Sequence, residues 1–382
     1  MGRMRMSRIK LKYTISKVFT QGTRYLKLNK AVYSVLKPFS KEIIKEGKVE
    51  AVKKLNEVWQ KPESNNCDGI SQINKKYDLQ IVIPCYNVAS YLEECLESVF
   101  SQKTEYTYKV VAVDDGSTDC TLEILKRYES RDNMEVIRQK NGGLSAARNT
   151  GMKTIEGNYI MFVDSDDTLA DGAIQNLLEC AYRENADIVE GSSSHFNEKK
   201  EWSLMKHKNQ NQVEPVNQLS GFAWSKIIKS EFFQTLKFPE SYWFEDSVMA
   251  YVLYPSIKKA CTISSVVYRY RVNYNGICHT AIDKPRCIET YWLLEELFHI
   301  RKELKMKSTQ EIYEKLFKQI RLNYQRTLLM DTEVKKSIFV LTADLINREF
   351  HDFHTKQDYM KDLEAALREN DYGRYCRFCS FM

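Results

Sequence analysis

The stretch "GNYIMFVDSDD", residues 157–167, decides how the chain is read. Tyr159 to Val163 are five consecutive apolar or aromatic residues, the mark of a strand buried on both faces. Asp164, Asp166 and Asp167 follow within four positions. Like charges this close raise one another's pKa and oppose folding unless something positive sits among them. Asp164 and Asp166 are two apart, so on an extended chain both point to the same side. A hard divalent cation, Mg2+ or Mn2+, accepts one or two carboxylates and completes its shell with water and phosphate oxygens. The spacing therefore predicts a cation that arrives with a diphosphate and takes up the charge developing on that leaving group. The plain structural alternative is a helix N-cap, since Asp167 and Thr168 precede a helical stretch. Capping accounts for one aspartate, not three.

Around this stretch, short apolar runs alternate with helical patterns. "LQIVIP" (79–84), "YKVVAV" (108–113), "MEVI" (134–137) and "YIMFV" (159–163) read as strands, with helices over 91–101, 119–129, 144–155 and 172–184. Such alternation predicts an α/β fold, a Rossmann-like, mostly parallel sheet flanked by helices. Ligands then bind outside the carboxyl ends of the strands. The first strand ends in "PCYN" (84–87), the second in "DDGSTD" (114–119) and the fourth in "DSDD" (164–167). Polar and acidic residues thus collect along one edge. In "DDGSTD", Asp115-Gly116-Ser117 is turn chemistry and Asp119 is placed to cap the next helix. A carboxylate there also suits the imide N–H of a uracil.

Composition sets the bounds. The chain has 382 residues, 43% hydrophobic and 12% aromatic, which supports a large core and argues against disorder. Apolar runs stop at about six residues, far short of the ~20 that span a bilayer. No apolar stretch of secretory-signal type follows the basic N-terminus. Ten cysteines without framework spacing fit reduced thiols. These features lead to the expectation of a cytoplasmic protein. The net charge of +6 is uneven, with 16 Lys/Arg against 4 Asp/Glu in residues 1–61. A basic arm of this kind suits an anionic surface. Residues 1–77 are expected to be a partly helical extension and linker, with a helix in 41–59 and polar turn residues in 61–72. Residues 78–282 form the main domain, divided into nucleotide-binding (78–190) and acceptor (191–282) halves. Residues 283–382 form a helical C-terminal region. "WFEDSVMAYVLY" (243–254) reads as a helix and "ISSVVYRYRV" (263–272) as a strand. The arm's Phe19, Tyr25, Tyr33 and Trp59 are candidates to dip into a membrane interface, with a solvated extension as the alternative. The tail "YGRYCRFCSFM" (372–382) has a CxxC, Cys376 and Cys379, without a second pair at zinc spacing, and reads as a membrane or partner contact.

Four motifs carry a resemblance: "IVIPCYNVASYLEECLESVFSQ" (81–102), "VVAVDDGSTD" (110–119), "NGGLSAARNTGMKTIEGNYIMFVDSDD" (141–167) and "FEDSVMA" (244–250). In order and spacing they resemble glycosyltransferase family 2, enzymes of the GT-A fold, over roughly residues 78–280. "AWSKIIKSEFF" (223–233) and "VVYRYRVNYNGICHT" (266–280) resemble bacterial members that assemble capsule, exopolysaccharide or lipopolysaccharide. The resemblance implies a metal-dependent, inverting transfer of a hexosyl or N-acetylhexosaminyl group from a nucleotide-sugar, with UDP expected. The acceptor would be a saccharide or lipid-linked saccharide. It implies that Pro84, Tyr86 and Asn87 line the nucleobase pocket, that Asp115 binds the base and that Asp114 supports its loop. Asn141, Gly142 and Arg148 belong to a segment crossing the nucleotide, with Arg148 steadying the acidic edge. Asp164 and Ser165 would lie at the ribose, Asp166 with Asp164 at the metal. His279 resembles a late histidine near metal or diphosphate, and an exposed loop histidine is the alternative. Arg269 and Arg271 are candidates for the diphosphate, or plain surface charge.

In "FEDS" (244–247), Asp246 is expected to be the base that deprotonates the acceptor hydroxyl, and Glu245 to orient it. A neighbouring like charge raises the pKa of one of the pair. Both residues merely starting a helix at 247 is the alternative. Trp224 is a candidate to stack on an acceptor sugar and Lys226 to meet a phosphate, or else core and surface residues respectively. Three other functions weigh against this reading. A nucleotidyltransferase is expected to open with a Gly-rich phosphate loop where this chain has "PCYNVASYL". A non-catalytic sugar-binding module sits poorly with intact Asp166 and Asp246. Nucleic-acid binding has a basic arm but no recognisable motif.

Overall fold

A computed structural model describes residues 28–36, 41–63, 70–273, 281 and 284–382. The chain forms two compact units, Glu63–Asn273 and the combination of Met1–Pro62 with Tyr274–Met382.

The unit Glu63–Asn273 is built on one nine-stranded sheet. Its strands are β1 (Gln72–Cys85), β2 (Tyr108–Asp114), β3 (Met134–Arg138), β4 (Thr154–Phe162), β5 (Thr168–Leu169), β6 (Ile188–Phe196), β7 (Glu201–Met205), β8 (Lys226–Lys229) and β9 (Ala260–Arg271). The order is β3-β2-β1-β4-β8-β6-β9-β5, with β7 also paired to β6. The first four strands run parallel, so β1, β2 and β4 deliver their carboxyl ends side by side to one edge. Helices Ala89–Phe100, Thr121–Tyr128 and Leu144–Gly151 make the crossovers that parallel pairing requires. Continuous burial of Leu79–Cys85 and of Tyr159–Val163 explains the unbroken apolar runs.

Gln80 is the polar exception inside this sheet. Its amide donates to the carbonyls of Gly151 (2.8 Å) and Thr154 (3.1 Å) and accepts from the Glu156 N–H (2.7 Å), pinning the end of one helix to β4. Beside it, a Cβ at Gly157 would lie 2.4 Å from the Gln80 nitrogen, so only glycine fits there. β4 starts at Thr154 because Gln72 of β1 pairs with it; the helix predicted over 144–155 therefore ends at Gly151. The same pairing carries β1 back to Gln72, into the stretch read as a linker.

The second half of the sheet is mixed. β8 lies antiparallel to β4 and to β6, β9 runs parallel to β6, and β5 is antiparallel to β9. Only residues 163–167 separate β4 from β5, yet β5 lies at the far end of the strand order. The sheet must curl until β9 reaches the acidic stretch that follows β4. The predicted helix at 243–254 is shifted to 247–256: residues 247–248 are α-helical and lead into a π-helical turn, Met249–Leu253, and a 3-10 turn, Tyr254–Ser256.

The other unit is helical, with Glu289–Glu303, Gln310–Arg326, Thr332–Glu349, Lys361–Arg368 and Tyr372–Phe381. The N-terminal part is strapped onto them. Ile43 bridges to Asp371, the Ile44 N–H donates to the Asn370 carbonyl (2.9 Å), and helix Lys48–Val58 buries Ala51 and Leu55 against Thr332–Glu349. Tyr33 is buried, donates to Asp362 (3.2 Å) and meets Phe378 edge-on. The Trp59 indole donates to Glu289 (2.8 Å). Burial replaces the membrane role read for Tyr33, whereas Trp59 stays 36% exposed; Phe19 and Tyr25 lie outside the described residues. The tail is likewise not an exposed contact: Tyr375, Phe378, Cys379 and Phe381 are buried. No described helix is long and apolar enough to cross a membrane.

Candidate active site

The loops after β1 and β2 are tied to one another. Asn87, held at φ +50, donates its N–H to Ser117 (3.0 Å) and accepts from the Thr118 N–H (2.8 Å). Asp114 is buried and accepts from the Ser117 N–H (3.0 Å), the loop-supporting contact expected of it. Gly116 needs its φ of +76, and a Cβ there would lie 2.9 Å from the Asn141 nitrogen. Asp119 accepts from the Thr121 N–H (3.0 Å) at the start of its helix, the capping explanation. Asp115 accepts from the Gly142 and Gly143 N–H groups (2.8 Å each) and from Gln139 (2.7 Å), so it shapes the 139–143 loop. A carboxylate has about four acceptor positions, which leaves one for a base N–H. Pro84 is buried, whereas Tyr86 is 50% exposed and presents a ring at the strand end. Asn141 and Gly142 are exposed on the crossing loop.

The acidic stretch does contain a positive charge, and it is Arg148. This guanidinium is 1% exposed and donates to Asp164 (2.9 Å), Glu245 (2.8 Å) and Asp246 (2.8 Å). It rests against the rings of Phe162 and Phe238. The next residue, Asn149, accepts from the Phe238 N–H (2.9 Å) and donates to the Phe238 carbonyl (2.9 Å) and Glu240 (3.0 Å). One short helix thereby holds the strand-end carboxylate and the "FED" segment together. Burial, only partly offset by Arg148, raises Asp164 to about 6, with Asp246 and Asp166 adding to the rise. Burial and then Asp246 raise Glu245 to about 7. Arg148 is held above its ordinary value despite burial, because all three carboxylates favour its charge.

β9 supplies the other wall. The Tyr268 hydroxyl donates to Asp167 (2.7 Å) and accepts from the Asp164 N–H (3.0 Å). The Arg271 N–H also donates to Asp167 (2.7 Å), so Asp167 ties the curled sheet together and caps no helix. Arg271 donates its Nε to the Asp166 carbonyl (2.7 Å) and pairs with Glu94. Arg269 is paired with Glu201 (3.5 Å). Ser165 is buried, and Asp166, partly exposed, accepts from Asn273 (3.2 Å).

One guanidinium against Asp164, Glu245 and Asp246 leaves this corner with excess negative charge, which adds to the rise that burial imposes on Asp164. The partly exposed carboxylates of Asp164 and Asp166 are hard donors suited to Mg2+ or Mn2+. No set of three or more His, Cys, Asp or Glu is gathered as a metal cage among the described residues. The donors therefore fit a cation whose shell is completed by phosphate and water. His279 lies outside the described residues.

Strain marks the same region. Ser225, Ser241 and Phe244 have φ of +64, +68 and +68, unfavourable for L-residues and most of all for a phenylalanine. Phe244 immediately precedes Glu245 and Asp246, and its left-handed backbone keeps 243–246 out of the helical run that begins at Ser247. Two acceptor candidates are not surface groups. Trp224 is 2% exposed, stacked between Phe222 and Tyr268, so no sugar reaches its face. Lys226 is fully buried, donating to Tyr254 (2.8 Å) and Ser220 (3.0 Å) and paired with Glu190 (3.3 Å), so no phosphate reaches it. Tyr268 and Asn149 were missed as site residues, although each lies beside an arginine already singled out, in "YRYR" and "ARN".

Residues 80–242 match the model of the family described as glycosyl transferase family 2. Over 224 residues, 54% of this chain, the sequence is 31% identical to glycosyltransferase GlyA of Streptococcus pneumoniae serotype 4. It is 30% identical to glycosyltransferase GlyG of the same organism over an equal stretch. The match spans 32% of GlyA and 74% of GlyG. Among solved structures, Staphylococcus aureus TarS 1–349 in complex with UDP-GlcNAc superposes with a TM-score of 0.65. That likeness has 20% identity and covers 78% of this chain and 89% of TarS 1–349. Sequence motifs, sheet order and relatives converge: the chain belongs to glycosyltransferase family 2 and has the GT-A fold.

Proposed function

We propose that the chain is an inverting, metal-dependent glycosyltransferase that moves a sugar from a UDP-sugar to a saccharide or lipid-linked saccharide acceptor in cell-surface polysaccharide synthesis. The observation that carries this is Arg148, whose one guanidinium holds Asp164 of the donor edge and Glu245 and Asp246 of the "FED" segment. UDP as the nucleotide is supported by TarS, solved with UDP-GlcNAc, and by Tyr86, Asn87 and Asp115 in the loops at neighbouring strand ends.

In this reading Tyr86 stacks on the base, the spare acceptor position of Asp115 takes its imide N–H, and Asn141 and Gly142 cover the nucleotide. Asp164 and Ser165 face the ribose. Asp166, with Asp164 and with His279 as a further candidate, would hold Mn2+ or Mg2+, which supplies charge neutralisation for the departing diphosphate. Arg271, beside Asp166, is better placed than Arg269 to meet that diphosphate. Asp246 accepts the proton of the acceptor hydroxyl as its oxygen attacks the anomeric carbon. The bond from that carbon to the UDP oxygen breaks on the opposite face, giving inversion. Glu245 and Arg148 fix the Asp246 carboxylate.

The basic residues of 1–61 support a peripheral position on the inner, anionic face of a membrane, with the catalytic unit in the cytoplasm. A panel of UDP-sugars with Mn2+, scored for UDP release, tests the assignment. Asp166→Asn and Asp246→Asn are expected to lower turnover by ~10²-fold or more. Full activity in both would overturn it, and UDP-sugar binding without any turnover would favour a binding module.

A further inference from the structure

Phe222 is the exposed end of a ring stack that begins at the aspartates. The Tyr268 hydroxyl bonds Asp164 and Asp167. The Tyr268 ring lies 4.6 Å from Trp224 at an interplanar angle of 11°, and Trp224 lies 4.4 Å from Phe222 at 10°. Trp224 is buried, but Phe222 is 42% exposed, with one face flat on the tryptophan. Single exposed aromatics are ordinary in proteins. What distinguishes this one is how its loop is held.

Both ends of the 220–225 loop are fixed in a buried polar network. The Ser220 N–H donates to Glu190 (3.0 Å), and its carbonyl accepts from Lys226 (3.1 Å) and from the Tyr254 hydroxyl. Glu190 and Lys226 are both fully buried. Ser225 holds a φ of +64. A buried Lys–Glu pair adds little stability over an apolar pair, and a serine in left-handed backbone is strained. Neither feature is explained by stability. Both fix the position of one ring. Lys226 and Tyr254 also lie close enough to Asp246 for their charges to interact, so the loop is a neighbour of the proposed base.

We propose that Phe222 is the acceptor platform, receiving a pyranoside whose H1, H3 and H5 project from one apolar face, as in β-gluco-configured sugars. This rests on the glycosyltransferase reading above and names the acceptor side of the same site. An aromatic face with its back stacked loses no freedom on binding and suits a C–H-rich surface. Trp224 and Tyr268 set its height and tilt but do not touch the sugar.

Saturation-transfer NMR on the full chain with UDP, diamagnetic Mg2+ and millimolar methyl β-D-glucopyranoside tests this. The wild type is expected to saturate H1, H3 and H5 more than the remaining ring protons. Phe222→Leu keeps an apolar side chain but no ring, and is expected to lose at least fivefold of that signal while UDP stays saturated. Phe222→Tyr is expected to restore it. An unchanged glycoside signal in Phe222→Leu overturns the proposal, as does UDP saturation without glycoside saturation in the wild type. Loss of the UDP signal in Phe222→Leu also overturns it, since the residue then supports the donor site or the fold. Absence of UDP saturation in the wild type instead overturns the underlying reading.

Discussion

Arg148 does at residue scale what a whole layer does elsewhere: it lets three carboxylates share a buried corner. Its planar fork reaches Asp164 through one terminal nitrogen and Glu245 and Asp246 through the other. Removing it strands carboxylates that it alone pairs directly among the described residues, and breaking buried pairs costs about 3–5 kcal/mol. Arg148→Met is therefore expected to lower stability by about that amount in urea unfolding of the pure protein. Arg148→Lys, a point charge without the fork, should recover only part of the loss. Glu245 gives the opposite sign. Its folded-state pKa of about 7 lies above its ordinary value, so the native state binds more protons than the unfolded chain near neutrality. Its contribution to stability thus declines as pH rises from about 4.5 to 7. Glu245→Gln removes the titration and is expected to raise the unfolding midpoint at pH 8 by a few degrees, about 1–3 kcal/mol, while leaving it nearly unchanged at pH 5. Equal shifts at both pH values would refute the assignment.

At the scale of elements, the parallel half of the sheet was legible because each strand is apolar throughout and ends in chemistry. Tyr159–Val163 and Leu79–Pro84 can only be interior strands, and Asp114, Asp115 and Asp164 had to share an edge once they were. β9 was legible as a strand, but its partner was not. Tyr268 meets Asp164 across 104 residues of sequence, and Asn149 meets Phe238 across 89, and no local pattern encodes either. The helix expected over 243–254 starts late, at 247, for a similar reason. Aspartate, serine and apolar residues suit a helix start, while the φ of +68 at Phe244 is imposed by what holds Glu245 and Asp246. Lys226 was read as a phosphate contact or a surface group because alternation in a four-residue strand says little about which face is covered. One substitution tests the curl. Tyr268→Phe leaves buried Asp167 short of a donor and is expected to cost about 1–3 kcal/mol. It should also weaken UDP–Mn2+ binding, measured by calorimetry, because the Asp164 backbone loses its acceptor. A stable variant with unaltered UDP binding would show that β9 closes on the acidic stretch without positioning it.

For the molecule as a whole, the charge imbalance of residues 1–61 suggested an arm reaching away from the body. Its described part instead belongs to a second core. Composition conceals this because most basic residues of helix Lys48–Val58 stay exposed or pair across, as Lys54 does with Glu46 and Glu333, while Ala51 and Leu55 go inward. The helical C-terminal region needs those side chains. Without the N-terminal segment, the seats of Tyr33, Ala51 and Leu55 face water, and Asp371 loses the Glu42 N–H (2.9 Å). Each large apolar side chain so removed is worth about 1.5–3 kcal/mol. The unit Glu63–Asn273 has its own sheet, its own core and every described site residue. Expressed alone, residues 63–273 are expected to unfold cooperatively and to bind UDP with Mn2+. A chain starting at residue 63 and running to 382 is expected to add a second, lower calorimetric transition, by several degrees, together with increased binding of a hydrophobic dye. Identical transitions with and without residues 1–62 would mean that the strap adds nothing to the helical core. Failure of 63–273 to fold would mean that the sheet depends on the rest of the chain.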